Sequence, residues 1–240
     1  MKKNSSLLTS LSKYVAQAGV ASRRHVVELI KQGLIRVNGA VVTQPSYQLK
    51  SNDLVTYRKK KIVVESKKYI LLNKPKDYIT TASDEQGRKT VLDLMPSVEA
   101  RIYPVGRLDR DTTGLLLLTN DGDLAQRLSH PRYEVKKIYA ATLDRILLSS
   151  DFEQIANGVT LTDGFIKPDM LIYASSQSKN VVHITVHSGK NRIIRRIFEK
   201  IGYEVAKLDR IEYAGLTKKE LPIGQWRSLT PLEIKKLLKK

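Results

Sequence analysis

The chain runs to 240 residues, 41% hydrophobic and 28% charged, which is enough for one or two domains with a proper core. Its 42 Lys+Arg against 24 Asp+Glu give a formal charge of +18 and a pI near 9.9; nucleic acid is the expected polyanionic partner, since no basic amphipathic helix of the membrane-surface type stands out. There is no cysteine, which excludes disulfides, thiolate catalysis and cysteine-ligated zinc and suits a cytoplasmic location, and no apolar run approaches the ~20 residues of a membrane span.

The opening Met1–Leu8 is basic without a long apolar stretch, so no signal peptide is expected. Leu11, Val15, Ala16 and Val20 recur at helical spacing, with Gly19 placed to end that helix. Ser22 offers an N-cap for a second helix, about Arg23 to Gln32, which buries Val26, Val27, Leu29 and Ile30 and stops at Gly33. Asn38-Gly39 between two β-branched runs is a strong hairpin signal. Residues 1–67 hold 13 Lys+Arg against 3 acids, +10 of the total +18. Arg23 and Arg24 lie beside the free N–H groups of a helix start, a natural phosphate seat. The run Arg58-Lys59-Lys60-Lys61 and the residues after it read as the end of this module and a short linker, with a boundary near 67.

The stretch from Leu11 through Ser22-Arg23-Arg24, then Glu28 through Val37-Asn38-Gly39, resembles the small RNA-binding domain first known in ribosomal protein S-four. The resemblance implies binding of structured RNA through the second helix and the hairpin edge. Candidate contacts are Lys13, Ser22, Arg23, Arg24, Arg36 and Asn38.

Residues 68–240 read as a second domain. Tyr69 to Asn73 is a short buried strand stopped by Lys74-Pro75, residues 77–90 are a loop, and Thr90 to Pro96 is a short helical turn. Gly106-Arg107-Leu108-Asp109-Arg110-Asp111-Thr112-Thr113-Gly114 then feeds four leucines, 115–118, which stop at Asn120-Asp121-Gly122. This pattern is a buried strand with a polar, doubly acidic loop at its mouth. Helices follow at 123–128 and 151–157, strands at 136–143 and 181–187, a basic helix at 195–200 and a short basic helix from Pro231 to the end. Strands outnumber helices and hairpins recur, so the expected class is α+β on a mixed, mainly antiparallel sheet.

Common chemistries are absent. Ser188-Gly189-Lys190-Asn191 lacks the first glycine and the hydroxyl residue of a phosphate loop. His183 and His187 lie four apart on a strand, ~13 Å, too far to share a metal. Carboxylate chemistry in a basic setting remains. Asp109 lies between Arg107 and Arg110, cations that keep a carboxylate ionised and available as a nucleophile. Arginines 192, 195 and 196 form a second cluster, one of which could pair with Asp109.

Gly106-Arg107-Leu108-Asp109 with Thr112, Gly114 and the leucine run resembles the signature of bacterial pseudouridine synthases, in the branch that carries an N-terminal RNA-binding domain and modifies ribosomal RNA. Lys74-Pro75, Lys137-Ile138-Tyr139, Asn191 to Arg196 and Leu208-Asp209-Arg210 fall in the family's order. Isoleucine stands at 193 and 197, where the family usually has glutamine and methionine. The resemblance implies conversion of a uridine to pseudouridine, with Asp109 as the essential aspartate, Tyr139 stacking on the uracil, Arg195 pairing with the aspartate and Arg107 holding the base out of the RNA. Asp109 would attack ribose or base, or take a ribose proton. Lys74, Arg192 and Arg196 are further candidate RNA contacts. An isomerisation implies no metal and no other cofactor. The expected partner is ribosomal RNA or a pre-ribosomal particle, 23S ahead of 16S, with no membrane and a monomeric protein. The competing class is a non-catalytic RNA-binding assembly factor.

Overall fold

The computed structural model describes residues 9–239, so the reading of Met1–Leu8 against a signal peptide lies outside the described residues. The chain parts between Lys67 and Lys68 into two compact units. Among the described residues no helix is long and apolar enough to cross a membrane.

The first unit comprises β1 (Thr9–Ser10), α1 (Leu11–Gln17), α2 (Arg23–Lys31), β2 (Ile35–Val37), β3 (Ala40–Val41), β4 (Gln48–Leu49), β5 (Val55–Tyr57) and β6 (Lys60–Lys61). Both helices start at serines whose hydroxyls accept a backbone N–H, Ser10 from Lys13 and Ser22 from His25. Val26 and Ile30 of α2 pack with Leu11, Val15, Ile35, Val37 and Val55, while Val27 is only half-buried. Asn38 (φ 50) and Gly39 (φ 85) supply the left-handed pair that a tight hairpin between β2 and β3 requires. The basic run at 58–61 lies inside the module, near its end. Arg58 and Lys59 form a second turn, and Lys60–Lys61 pairs with β5 as an edge strand, where lysines discourage strand addition.

The second unit is α+β, as its pattern predicts. Its elements are β7 (Tyr69–Lys74), β8 (Tyr103–Pro104), β9 (Thr113–Thr119), α3 (Gly122–Ser129), β10 (Lys137–Leu143), α4 (Ser149–Asn157), β11 (Val159–Leu161), β12 (Gly164–Ile166), β13 (Met170–Tyr173), β14 (Val181–Val186), α5 (Ile193–Lys200), β15 (Val205–Tyr213), β16 (Leu216–Thr217), β17 (Trp226–Ser228) and α6 (Pro231–Leu238). One sheet runs in the order β13-β14-β10-β15-β9-β7-β17, with β8 on β9 and β16 on β15. Every pairing is antiparallel except β15 with β9.

The leucine run is β9, and all four leucines are fully buried. Alternation sends Leu116 and Leu118 to one face, with Ile155 of α4 and Ile194, Ile197 and Phe198 of α5. Leu115 and Leu117 go to the other, with Leu124 and Leu128 of α3 and Leu237 of α6. A strand covered on both faces must be apolar at every position, hence the unbroken run. Each buried leucine contributes about 1.5–3 kcal/mol of hydrophobic stabilisation. Gly114 (φ +107) begins this run where β15 approaches closely; a Cβ there would lie 2.5 Å from the Arg210 backbone nitrogen.

The loop before β9 is held from the other side by Lys74. Its side chain is fully buried, and its ammonium donates to the carbonyls of Pro75 (3.0 Å), Asp109 (3.1 Å), Arg110 (3.3 Å) and Thr112 (2.9 Å). Lys74 therefore cannot be the RNA contact expected of it: every donor points into the protein. Burial draws its pKa down to about 8, against the pull of Asp111 and Asp109. The Asp77 N–H bonds the Arg110 carbonyl (2.9 Å), and Thr80 exchanges bonds with Leu108 (2.8 and 3.2 Å).

Two stability predictions follow from these contacts. Lys74→Met leaves buried carbonyls unpaired and should cost roughly 1–3 kcal/mol in urea unfolding; an unchanged midpoint would contradict that role. At the C-terminal end, Arg227 grips Glu233 with two bonds (2.8 and 2.7 Å) and Thr230 completes a capping box, which lowers the Glu233 pKa from 4.5 to about 2, the arginine bonds first among the causes. Because the folded value is depressed, this contribution is complete above 4.5 and lost as pH falls through about 2. Glu233→Gln should flatten the stability profile in that window, read by thermal melts; an unaltered slope would contradict it.

Candidate active site

A cleft of about 310 Å³ opens at the end of the leucine strand, wholly within the second unit. Asp109 and Arg107 reach it from the loop before β9, Lys137 and Tyr139 from β10, and Arg210 and Tyr213 from β15. Residues 187–192, between β14 and α5, and Ile193 and Ile194 at the start of α5 close one side.

Asp109 is half-buried, and no ion pair among the described residues takes up its carboxylate. Its neighbours are engaged elsewhere. Arg110 pairs with Asp77 at 3.0 Å. Arg195 was expected to pair with Asp109, but its Nη2 instead lies 2.6 Å from the Asp111 carboxylate and its Nη1 donates to the Val205 carbonyl at 2.5 Å. The turn closed by Thr112 N–H on the Asp109 carbonyl (3.1 Å) parts the two acids. Asp109 lines the cleft, while Asp111 reaches the buried guanidinium at the start of α5.

Tyr139 is 9% exposed and stands opposite Arg210 across β10 and β15. Its side chain belongs to the apolar cluster on that face of the sheet and also lines the cleft. The Arg210 Nε donates to the Leu115 carbonyl at 2.7 Å, Nη1 lies 3.5 Å from the Tyr139 hydroxyl, and the guanidinium sits 4.7 Å from the Tyr213 ring centroid. The Lys137 ammonium donates to the carbonyls of Val135 and His187, both at 2.9 Å. Burial, then repulsion from Arg210, brings its pKa down to about 8. Burial likewise pushes the Tyr213 hydroxyl up to about 12.

Arg107 is exposed at the rim. Arg192 also lines the cleft, in left-handed conformation (φ 48), with Glu199 3.8 Å away. Arg196 does not line it; its guanidinium is held by Asp163 (3.1 Å from Nη1). His187 lines the cleft and bonds Asp169 at 2.8 Å. Among the described residues, no group of three or more histidines and acids is gathered to hold a metal.

In the first unit, Arg23 and Arg24 are exposed in the first turn of α2, which contains no acid. The Ser22 hydroxyl is engaged as the cap, and the Asn38 amide spans Asp53 and the Leu54 N–H, both at 2.9 Å. Arg36 donates to the Gly39 carbonyl at 3.0 Å. Ser22 and Asn38 thus shape the module. Lys13 lies in the capped first turn of α1.

Lys137 and Arg210 line the cleft beyond the residues that the sequence singles out. Lys137 stands two before Tyr139 on a strand, hence on the same face. Nothing local marks Arg210, because its burial comes from the parallel partner β9.

Comparisons with known proteins agree with this geometry. A family signature described as RNA pseudouridylate synthase matches residues 68–200, and an S4 domain signature matches residues 10–55. The chain is 44% identical, over 95% of its length and 94% of the relative's, to the ribosomal large subunit pseudouridine synthase B of Bacillus subtilis (strain 168). It is 38% identical, over 95% and 93%, to an uncharacterized RNA pseudouridine synthase of Aquifex aeolicus (strain VF5). A crystal structure of a pseudouridylate synthase superposes with a TM-score of 0.69 at 28% identity, covering 95% of this chain and 99% of that one. With the signature over the second unit and relatives that match nearly end to end, the chain belongs to the RNA pseudouridine synthases, which are isomerases.

Proposed function

We propose that this protein isomerises a uridine of ribosomal RNA, 23S ahead of 16S, with Asp109 as its essential carboxylate. Residues 1–67 bind the RNA and residues 68–240 do the chemistry. One observation carries the reading: in a cleft rich in cations, the Asp109 carboxylate is half-buried and engaged by none of them, while its neighbour Asp111 is tied to Arg195. The 23S preference is supported by the large-subunit name of the Bacillus subtilis relative and by the resemblance of His130 to Val135 and the basic C-terminal part.

Pseudouridine joins base to ribose through carbon 5 instead of nitrogen 1. One bond must break, the base must turn, and another must form, with no net change in atoms. The target atoms cannot be reached inside a stacked helix, so the nucleotide is extruded at a cost of a few kcal/mol. Arg107, at the rim, takes up the vacated space in the RNA. Tyr139 offers its ring face to the uracil. Asp109 meets the ribose or the base from the opposite wall, and Arg195 keeps the loop in place through Asp111.

One prediction separates this reading from that of a non-catalytic assembly factor, and a second tests RNA binding by the first unit. Ribosomal RNA carrying tritium at carbon 5 of uridine should release it on incubation with the protein. Asp109→Ala should abolish release and leave RNA affinity largely intact; tight binding without release by the wild type would favour the assembly factor. For the first unit, Arg23→Glu with Arg24→Glu should weaken RNA binding and flatten its salt dependence by roughly one unit of slope per lost phosphate contact. An unchanged slope would mean that these arginines do not touch RNA.

A further inference from the structure

The floor of the cleft holds two cations with no carboxylate within ion-pairing distance among the described residues. Arg210 is 2% exposed, and its Nη2 has no hydrogen-bond partner. Its other contacts are a backbone carbonyl and the hydroxyl and ring of two tyrosines. Lys137 meets only carbonyls, those of Val135 and His187. Register puts both on one patch, since Tyr139 pairs with Arg210 and Lys137 with Tyr213 across β10 and β15. They are near enough that Arg210 disfavours the charge on Lys137, which Asp169, already bonded to His187, offsets only in part.

Two neighbouring like charges, one buried and one half-buried, without a counter-ion are costly to fold. Such a pair becomes favourable when an anion arrives, and donors fixed in advance where charge develops stabilise a transition state strongly. The depth of the pair indicates which anion. Arg107 and Arg192 are exposed at the mouth, where the RNA strand and not the extruded base would meet them. Arg210, 2% exposed and opposite Tyr139 in the strand register, lies deeper than either.

We infer that Lys137 and Arg210 form a cationic floor that takes up the negative charge carried by the uracil during isomerisation. This rests on the reading that the target uridine enters this cleft. When the bond from nitrogen 1 to carbon 1′ breaks, its electron pair stays with the base and spreads onto the two carbonyl oxygens. If Asp109 adds to carbon 6 of the base instead, the charge again gathers on a carbonyl oxygen, and that carbon–oxygen bond breaks once carbon 5 has joined the ribose, which returns the carboxylate. Either way, carbon 5 then bonds carbon 1′, its proton leaves to solvent and nitrogen 1 gains one, so atoms and charge balance and the floor is left as it began.

The test compares neutral with charge-keeping variants of the full-length protein: Arg210→Met and Lys137→Met against Arg210→Lys and Lys137→Arg. Single-turnover tritium release, RNA affinity and its salt slope, and melting temperature are measured for each. The methionine variants should lose about 100-fold or more in rate at unchanged RNA affinity, and the charge-keeping variants should regain at least about tenfold. Lys137→Met, on a half-buried side chain, carries the test should Arg210→Met fail to fold. Equal losses in neutral and charge-keeping variants would reduce both residues to packing and overturn the inference. Weaker RNA binding with a flatter salt slope and an intact bound-state rate would make the floor a phosphate site, and would overturn it too. Release by the wild type at the same rate as the methionine variants would sink this inference alone; no release by the wild type would remove the functional reading and this inference with it.

Discussion

The Lys74 ammonium, withdrawn from solvent and facing four carbonyls, fixes the loop that carries Asp109. A buried cation is tolerated only where its donors are all matched, so the ammonium and the loop's backbone specify each other. The same loop runs directly into Gly114, which β15 approaches too closely for any side chain. Loop and strand are thereby clamped from two sides. The four adjacent strands β10, β15, β9 and β7 deliver Tyr139, Arg210, the Asp109 loop and Lys74 in turn. The cleft is a cross-section of the sheet, which is why its geometry depends on packing far from it.

Charge sorting then distinguishes the acids. Asp77 is matched to Arg110 and Asp111 to Arg195. Asp109 alone in that loop points its carboxylate into the cleft without a partner. Beneath it, Arg210 and Lys137 are cations without acids. An anionic group and cations without acidic partners thus share one cavity of about 310 Å³.

What could be read in advance was what is local. Four leucines between glycines had to be a strand covered on both faces, Asn38-Gly39 had to turn, and Ser22 had to cap, because each depends only on neighbours in the chain. Lys74 was misjudged because a lysine before a proline looks like a surface cation; its burial depends on carbonyls 35 to 38 residues away. The partner of Arg195 was misassigned for a finer reason. Asp109 and Asp111 are chemically alike and two residues apart, and only the turn between them decides which one meets the guanidinium. The edge strand at 60–61 carried no strand signal, because a run of lysines suits an edge strand as well as an irregular segment. Arg210 was overlooked because its environment is built by β9, nearly a hundred positions earlier in the chain.

The most direct test of the central claim is a pseudouridine map of ribosomal RNA from cells lacking this protein, complemented with the wild type or with Asp109→Ala. One uridine, in 23S RNA, should lose the modification, regain it with the wild type and remain unmodified with Asp109→Ala. An unchanged map without the protein, or restoration by Asp109→Ala, would contradict the assignment of the chemistry to this carboxylate.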